Sequence, residues 1–259
     1  MKFISYNVNG IRAAIKKGLL DWLTTINAEI VCLQEIKVDQ DQLEIEDFRK
    51  MGYHVYWNPG KKRGYSGVAV LTKIIPHNIS MGFGKQKFNH EGRLVKLDFD
   101  TFSLLNVYLP SGSSGVERQA FKLEYLKAFF KYIEQVKKTT SNIVICGDFN
   151  ICHQPVDIHN PNANKKSPGF TPVERDWLTK LIGFGFIDTF RFYNKEPHNY
   201  SWWSLRSKSR EKNLGWRIDY FLVSDSMKNM LKSASLMHEV YHSDHCPVSL
   251  ELFPSKLNT

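Results

Sequence analysis

Short apolar runs of strand length, bounded by polar residues, dominate the hydrophobic pattern of this 259-residue chain and constrain its fold class. They fall at 3–8, 29–33, 53–57, 68–71, 94–99, 103–108, 143–146, 218–223 and 248–252. Helical periodicity is confined to 14–26, 117–136 and 172–181. Within the second helical segment Phe121, Leu123, Tyr125, Leu126, Phe129, Phe130 and Ile133 form an apolar stripe. Thr171-Pro172-Val173-Glu174 is a capping box with proline at the first helical position. The runs at 94–99 and 103–108 are close enough to fold back over Asp100-Thr101. Nine strands against three helices, with hairpin spacings, predict mixed or antiparallel sheets flanked by helices, not a doubly wound parallel sheet. The fold class is therefore α/β in the α+β sense. No repeat or low-complexity linker divides it, so residues 1–259 are expected to form a single domain.

Several of these runs end in polar groups able to do chemistry. Gly147-Asp148-Phe149-Asn150 follows the run at 143–146, and the alternation of a strand puts Asp148 and Asn150 on one side with Phe149 opposite. A carboxylate beside an amide can activate a water and hold a phosphoryl oxygen. The bland alternative is an Asx-turn at a strand end. Ser243-Asp244-His245 offers the one side chain that titrates near neutrality. Adjacent strand residues face opposite ways, so the carboxylate that orients His245 is expected elsewhere, and Asp219, opening another apolar run, is the candidate. Glu35, in Leu33-Gln34-Glu35-Ile36-Lys37, is the best single metal-ligand candidate, with Asn7 and Asn9 able to complete the rim. Hard oxygen donors of this kind suit Mg²⁺, which needs only one or two protein carboxylates. A solvated charge at a strand end is the competing reading of Glu35.

Composition narrows the partners. Thirty-five Lys and Arg against twenty-six Asp and Glu give a net charge of +9, which favours polyanions by steering. The loop 204–213, with Arg206, Lys208, Arg210 and Lys212, lies between Trp202-Trp203 and Trp216, a mixture that fits phosphate contact beside an aromatic pocket. Trp203 is read as core. The Lys61-Lys62-Arg63 and Lys165-Lys166 runs are further candidate backbone contacts, although solvated loop charge explains either. The four cysteines match no zinc spacing and are expected to be reduced and structural. No stretch reaches the roughly 20 apolar residues of a membrane helix, and no signal-peptide core opens the sequence, so a cytoplasmic location without membrane contact is expected.

Taken together, these positions resemble the exonuclease III class of apurinic/apyrimidinic endonucleases, within the endonuclease/exonuclease/phosphatase superfamily. The resemblance runs nearly end to end. It rests on 5–12 (SYNVNGIR), 33–37 (LQEIK), 64–70 (GYSGVAV), Glu91-Gly92-Arg93 and Tyr108-Leu109-Pro110, then on 147–150 (GDFN), 169–172 (GFTP), 215–220 (GWRIDY) and Ser243-Asp244-His245. It implies a four-layer sandwich, two mixed sheets face to face with helices outside. It implies Mg²⁺, with Mn²⁺ a possible substitute, on Glu35 with Asn7 and Asp244 nearby. Asp148 would position or deprotonate the attacking water, helped by Asn150. Tyr108 would contact the scissile phosphate or stabilise the leaving group, and Asp219 would orient His245. Trp202, Trp216 and Ile218 would form the pocket for a flipped abasic sugar, with Arg206 and Lys208 on the DNA backbone. Some relatives carry Asp where this chain has Asn9, and a longer amide where it has Ser111.

The activity expected from the resemblance is base-excision repair of double-stranded DNA by a monomer. It would cleave beside abasic sites and act as a 3′-5′ exonuclease, leaving 3′-hydroxyls. One alternative is mainly 3′-phosphatase or 3′-exonuclease action with weak abasic cleavage. A second keeps the fold but takes a phospholipid phosphodiester, which the basic loop and the Glu-Gly-Arg run oppose. The third, a non-catalytic DNA-binding module, predicts loss of an acidic position, and Glu35, Asp148, Asp219 and Asp244 are all present.

Overall fold

The strand-forming runs assemble into two sheets whose central strands are the most continuously apolar. The computed structural model describes residues 1–39, 41 and 45–253. The first half of the chain supplies β1 (Lys2–Asn7), α1 (Ile11–Lys16), α2 (Leu19–Ile26), β2 (Ile30–Gln34), α3 (Glu46–Lys50), β3 (His54–Asn58), β4 (Val68–Thr72), β5 (Asn78–Met81), α4 (Gln86–Asn89), β6 (Leu94–Asp98) and β7 (Ser103–Tyr108). The second half supplies α5 (Val116–Thr139), β8 (Ile143–Asp148), α6 (Pro172–Gly183), β9 (Phe186–Asp188), α7 (Thr189–Tyr193), β10 (Trp202–Trp203), β11 (Gly215–Trp216), β12 (Asp219–Ser224), β13 (Leu231–Leu236) and β14 (Val248–Leu252).

One sheet runs β13-β14-β1-β2-β4-β3 and the other β5-β6-β7-β8-β12-β9, with β10 and β11 as a separate ribbon. Each large sheet contains one parallel pair, β1 with β2 and β7 with β8, bridged by the α1–α2 and α5 crossovers respectively. The other pairs are antiparallel. Strands buried on both faces need apolar side chains in succession, which is why Ile30-Val31-Cys32-Leu33 and Ile143-Val144-Ile145-Cys146 lie at the two centres.

Between the sheets Phe3, Cys32, Val70, Leu104, Cys146, Phe221 and Leu250 interdigitate. The outer face of the first sheet takes Ile11, Leu19 and Leu23 from α1 and α2. The outer face of the second takes Phe129, Ile133 and Leu178 from α5 and α6. The result is the expected four-layer sandwich. A buried polar clamp spans the sheets: Gln34 Nε2 donates to Asn106 Oδ1 at 2.7 Å, and Asn106 Nδ2 donates to the Leu33 and Ala69 carbonyls at 3.1 and 2.9 Å. An amide so fully paired in an apolar layer fixes sheet register, since any slip would leave it buried and unsatisfied.

Some expectations differ in detail. The predicted helix at 14–26 is two helices, broken at Gly18, whose φ of +96° no side-chain-bearing residue adopts cheaply. The helix predicted over 117–136 starts at Val116 and runs on to Thr139. Strands β5, β9 and β13 were not legible, being edge strands that are short or largely exposed. The Thr171/Glu174 capping box is present, and all four cysteines are buried and free. Among the described residues no helix is long and apolar enough to cross a membrane.

Candidate active site

The two parallel pairs end at a common rim, and that rim gathers the polar strand ends. Asn7 ends β1 and Glu35 follows β2 in a left-handed conformation, with φ +51°. Tyr108 and Asp148, the last residues of β7 and β8, lie opposite one another in register, and Asp219, the first of β12, lies opposite Asp148 from the other side. Gly147 makes this possible: a Cβ there would lie 1.8 Å from the Val107 carbonyl oxygen, so only glycine lets β8 approach β7 at this point. Asn150, φ +50°, turns back so that its backbone N–H donates to Asp148 Oδ1 at 2.7 Å and its amide to Oδ2 at 3.2 Å.

Hydrogen bonds knit the rim together. Asn7 Nδ2 donates to Glu35 Oε1 and to Asp148 Oδ2, both at 2.9 Å, and its own Oδ1 accepts from the Asn9 backbone. His245 Nδ1 lies 2.9 Å from Asp219 Oδ2, which also accepts from Ser201 Oγ at 2.6 Å. The other ring nitrogen of His245 points toward Asp148 Oδ2, 4.0 Å away. Asp244 turns to the side, accepting from Asn9 Nδ2 at 2.9 Å and from the Trp202 indole at 3.0 Å.

Burial sets the electrostatics. Removal from water, then the neighbouring Asp219 carboxylate, pushes Asp148 up to about 7 against the pull of His245. Burial works against the charge of His245, but Asp219, Asp148 and Asp244 outweigh it and raise the ring to about 10, so His245 is an imidazolium at neutral pH. Burial would raise Glu35 as well. The Lys37 ammonium 2.9 Å away and the Asn7 amide reverse that and hold it ionised. Tyr108 is pushed well up by burial and by Glu35, so its phenol keeps its proton.

Glu35, Asp148 and His245 bring potential ligand atoms within 4.8 Å of one another. With His245 protonated, the donors left are two carboxylates, the hard-oxygen set that fits a Mg²⁺-type ion retaining several waters. The metal set expected from the sequence was Glu35, Asn7 and Asp244. In the structure Asn7 hydrogen-bonds both Glu35 and Asp148, Asp244 is engaged by Asn9 and Trp202, and Asp148 is a further carboxylate close to Glu35.

A cavity of about 370 Å³ opens over this group. Glu35, Tyr108, Asp148, Asn150 and His245 form one side, and Trp202, Trp216 and Ile218 the other. The two indoles meet edge to face, ring centres 6.2 Å apart. Asp219 stands behind His245 and does not line the cavity. Arg206 and Lys208 are exposed on the turn after Trp203 and do not line the cavity either, and Lys208 lies 3.6 Å from Glu211. Trp203 is core, as read. Arg210 stacks on its ring and on Tyr241, and donates to the carbonyls of Ser243, His238 and Val240, so part of the basic signal in 204–213 is structural.

Two supports were missed. Arg93 lies fully buried under Tyr108, guanidinium carbon 4.4 Å from the ring centre, and donates to the Tyr108 carbonyl at 2.9 Å and to Glu91 at 2.5 Å. Arg118 completes that arrangement through Glu91 and the Tyr65 hydroxyl. Arg217, between the pocket residues Trp216 and Ile218, is buried between Asp157 and Asp188 with contacts of 2.7 and 2.6 Å. Both arginines stand in motifs visible in the sequence, yet nothing in their spacing shows that they are buried.

The model of the Endonuclease/Exonuclease/phosphatase family matches residues 4–245. Over 252 residues the chain is 41% identical to an exodeoxyribonuclease of Bacillus subtilis (strain 168), covering 96% of this chain and 98% of that protein. It is 38% identical over 255 residues to the DNA repair nuclease APEX1 of Danio rerio, covering 97% of this chain and 82% of that one. Among solved structures, an AP endonuclease from Archaeoglobus fulgidus superposes with a TM-score of 0.88 at 28% identity, covering 97% of this chain and 99% of the other.

Proposed function

The chain belongs to the endonuclease/exonuclease/phosphatase family, and on that premise we propose that it is a divalent-metal-dependent DNA-repair nuclease. Its substrates are double-stranded DNA carrying abasic sites and duplex 3′ ends, and its products are 3′-hydroxyls. The observation that carries this reading is the opening of an aromatic-walled cavity directly onto a carboxylate–imidazolium group.

Hydrolysis of a phosphodiester asks mainly for positioning and for stabilisation of charge on phosphorus-bound oxygens. Asp148, at about 7, accepts the proton of the attacking water, and the Asn150 amide beside it fixes the direction of attack. The His245 imidazolium, backed by Asp219, faces the non-bridging oxygens and offsets their charge. Tyr108 brings a phenol that keeps its proton and so serves as a donor. Glu35 would hold Mg²⁺, or Mn²⁺ in its place, close to Asp148. A cation held there would supply Lewis-acid neutralisation of phosphoryl charge.

The Trp202, Trp216 and Ile218 wall accepts a sugar that has lost its base, while Arg206 and Lys208 lie outside it, free to meet the flanking backbone.

The test is a 5′-labelled duplex with one abasic analogue, with Mg²⁺ or with EDTA, beside an undamaged duplex with a recessed 3′ end. A single Mg²⁺-dependent cut at the lesion, with trimming of the recessed end, is the expected result. A ladder from the 3′ end alone would leave the nuclease chemistry and remove the abasic substrate. Cleavage of neither would overturn the proposal.

A further inference from the structure

Beneath the rim lies an ion pair that the proposed chemistry does not use. Lys122, in the second turn of α5, and Glu174, in the first turn of α6, are both fully buried with Nζ and Oε1 2.5 Å apart. Isolating two charges from water is costly, and such a pair persists only where further bonds satisfy both ends. Here those further bonds run to the cavity. Lys122 Nζ donates to the Asn150 carbonyl at 2.7 Å. Glu174 accepts the Gly169 N–H on both oxygens, at 3.0 and 2.8 Å, and the Thr171 N–H at 3.2 Å.

Asn150 is the residue whose N–H and amide hold Asp148, and Gly169 forms cavity wall next to Trp216. The two segments also touch each other. The Cys152 N–H donates to the Gly169 carbonyl at 2.8 Å, and a Cβ on Gly169 would come within 3.0 Å of the Asn150 carbonyl oxygen and 3.1 Å of the Trp216 ring.

We propose that Lys122 and Glu174 are a positioning pair that fixes the Asp148–Asn150 turn and the Gly169 wall as one unit, setting where the attacking water stands relative to the bound sugar. Neither residue touches substrate. The pair acts through Asn150 on one side and through Gly169 on the other, each bond being charge-assisted and shielded from solvent. This rests on the function proposed above, because only a reaction at Asp148 with a ligand against Trp216 makes the shared placement matter.

The neutral double variant Lys122→Met with Glu174→Gln removes both charges together and avoids stranding either one. With stability near wild type, single-turnover cleavage at the abasic analogue should fall at least tenfold while the half-saturating DNA concentration changes less than threefold. Wild-type rates in the folded double variant would confine the pair to stability and overturn the proposal. Should that double variant not fold, Lys122→Gln with Glu174→Gln, which keeps a donor and an acceptor at the pair without either charge, carries the same comparison. Amide ¹⁵N spectra separate this from failure of the underlying function. If wild-type protein cleaves neither duplex, that function is lost, but the Gly169 and Asn150 amides must still shift in the variants. Unmoved amides refute the pair as a positioning device.

Discussion

Replacing Asp219 by Asn should displace the whole pH profile of the enzyme, not merely lower it. Asp219 is a fixed negative charge between two groups it perturbs in opposite functional senses. It lies 2.9 Å from His245 Nδ1, which stands at about 10 instead of 6.5, and it is the leading charge among the causes that lift Asp148 from 3.8 to about 7. The rise in His245 corresponds to about 5 kcal/mol in favour of the imidazolium, at about 1.4 kcal/mol per pH unit.

Wild-type turnover should therefore climb with the loss of one proton, hold, and fall with the loss of another; without metal these losses lie near pH 7 and pH 10, and a cation bound at Glu35, close to Asp148, would draw both to lower pH. The sign for the variant follows. Without the anion Asp148 ionises more readily and His245 gives up its proton more readily, so both limbs move to lower pH. Because the Asn side chain keeps the geometry but not the charge, the maximum should drop about 10²–10³-fold, the scale for losing charge stabilisation of a transition state. The assay is single-turnover cleavage of the abasic duplex from about pH 5 to pH 11 with saturating Mg²⁺, paired with ¹⁵N titration of the His245 ring. A lower maximum with unmoved limbs, or a His245 that still titrates near pH 10, would refute the electrostatic reasoning.

Three further perturbations probe separate layers. Arg206→Ala should reduce the slope of log binding constant against log salt by about 0.9 while leaving single-turnover cleavage unchanged, and an unaltered slope places Arg206 off the DNA. Asp157 is buried yet held down at about 2, because Arg217 and Arg191 outweigh its desolvation. Its depressed value contributes about 2 kcal/mol that is fully present above the ordinary 3.8 and is lost as pH falls through about 2. Asp157→Asn should accordingly lower the urea midpoint at pH 6 and flatten its acid decline, and an equally steep decline in the variant would exclude this carboxylate. Gly147→Ala, with φ at +134° and a Cβ 1.8 Å from the Val107 carbonyl oxygen, should cost about 3 kcal/mol or prevent folding. A thermal midpoint within two degrees of wild type would contradict that contact.

What the sequence made legible divides along physical lines. Central strands and long amphipathic helices were readable because they bury continuous or periodic apolar surface. β5, with Asn78 and Ile79 exposed, was not, since its pairing is imposed by β6 and not by its own side chains. Asp219 was identified as the partner of His245 because alternation along a strand rules out Asp244, and the 2.9 Å contact agrees. The direction in which an amide points is not a sequence property. Asn7 stood among the metal candidates, and its amide hydrogen-bonds both Glu35 and Asp148. The burial of Arg217 and Lys122 was not legible, because the carboxylates that permit it, Asp157 and Glu174, lie more than 50 residues away in sequence, whereas Arg93 has its partner Glu91 only two residues off.

The rim is divided between the sheets: Asn7 and Glu35 belong to one, Tyr108 and Asp148 to the other, and the Asn7–Asp148 hydrogen bond of 2.9 Å crosses between them. Sliding one sheet past the other by a single residue, about 3.3 Å, would break that bond along with the Gln34–Asn106 clamp in the interior. Catalytic competence thus has no melting transition of its own. Heat should abolish activity and core packing in one step, and a variant that loosens the sheet interface far from DNA should show up first as a slow enzyme and only afterwards as an unstable protein.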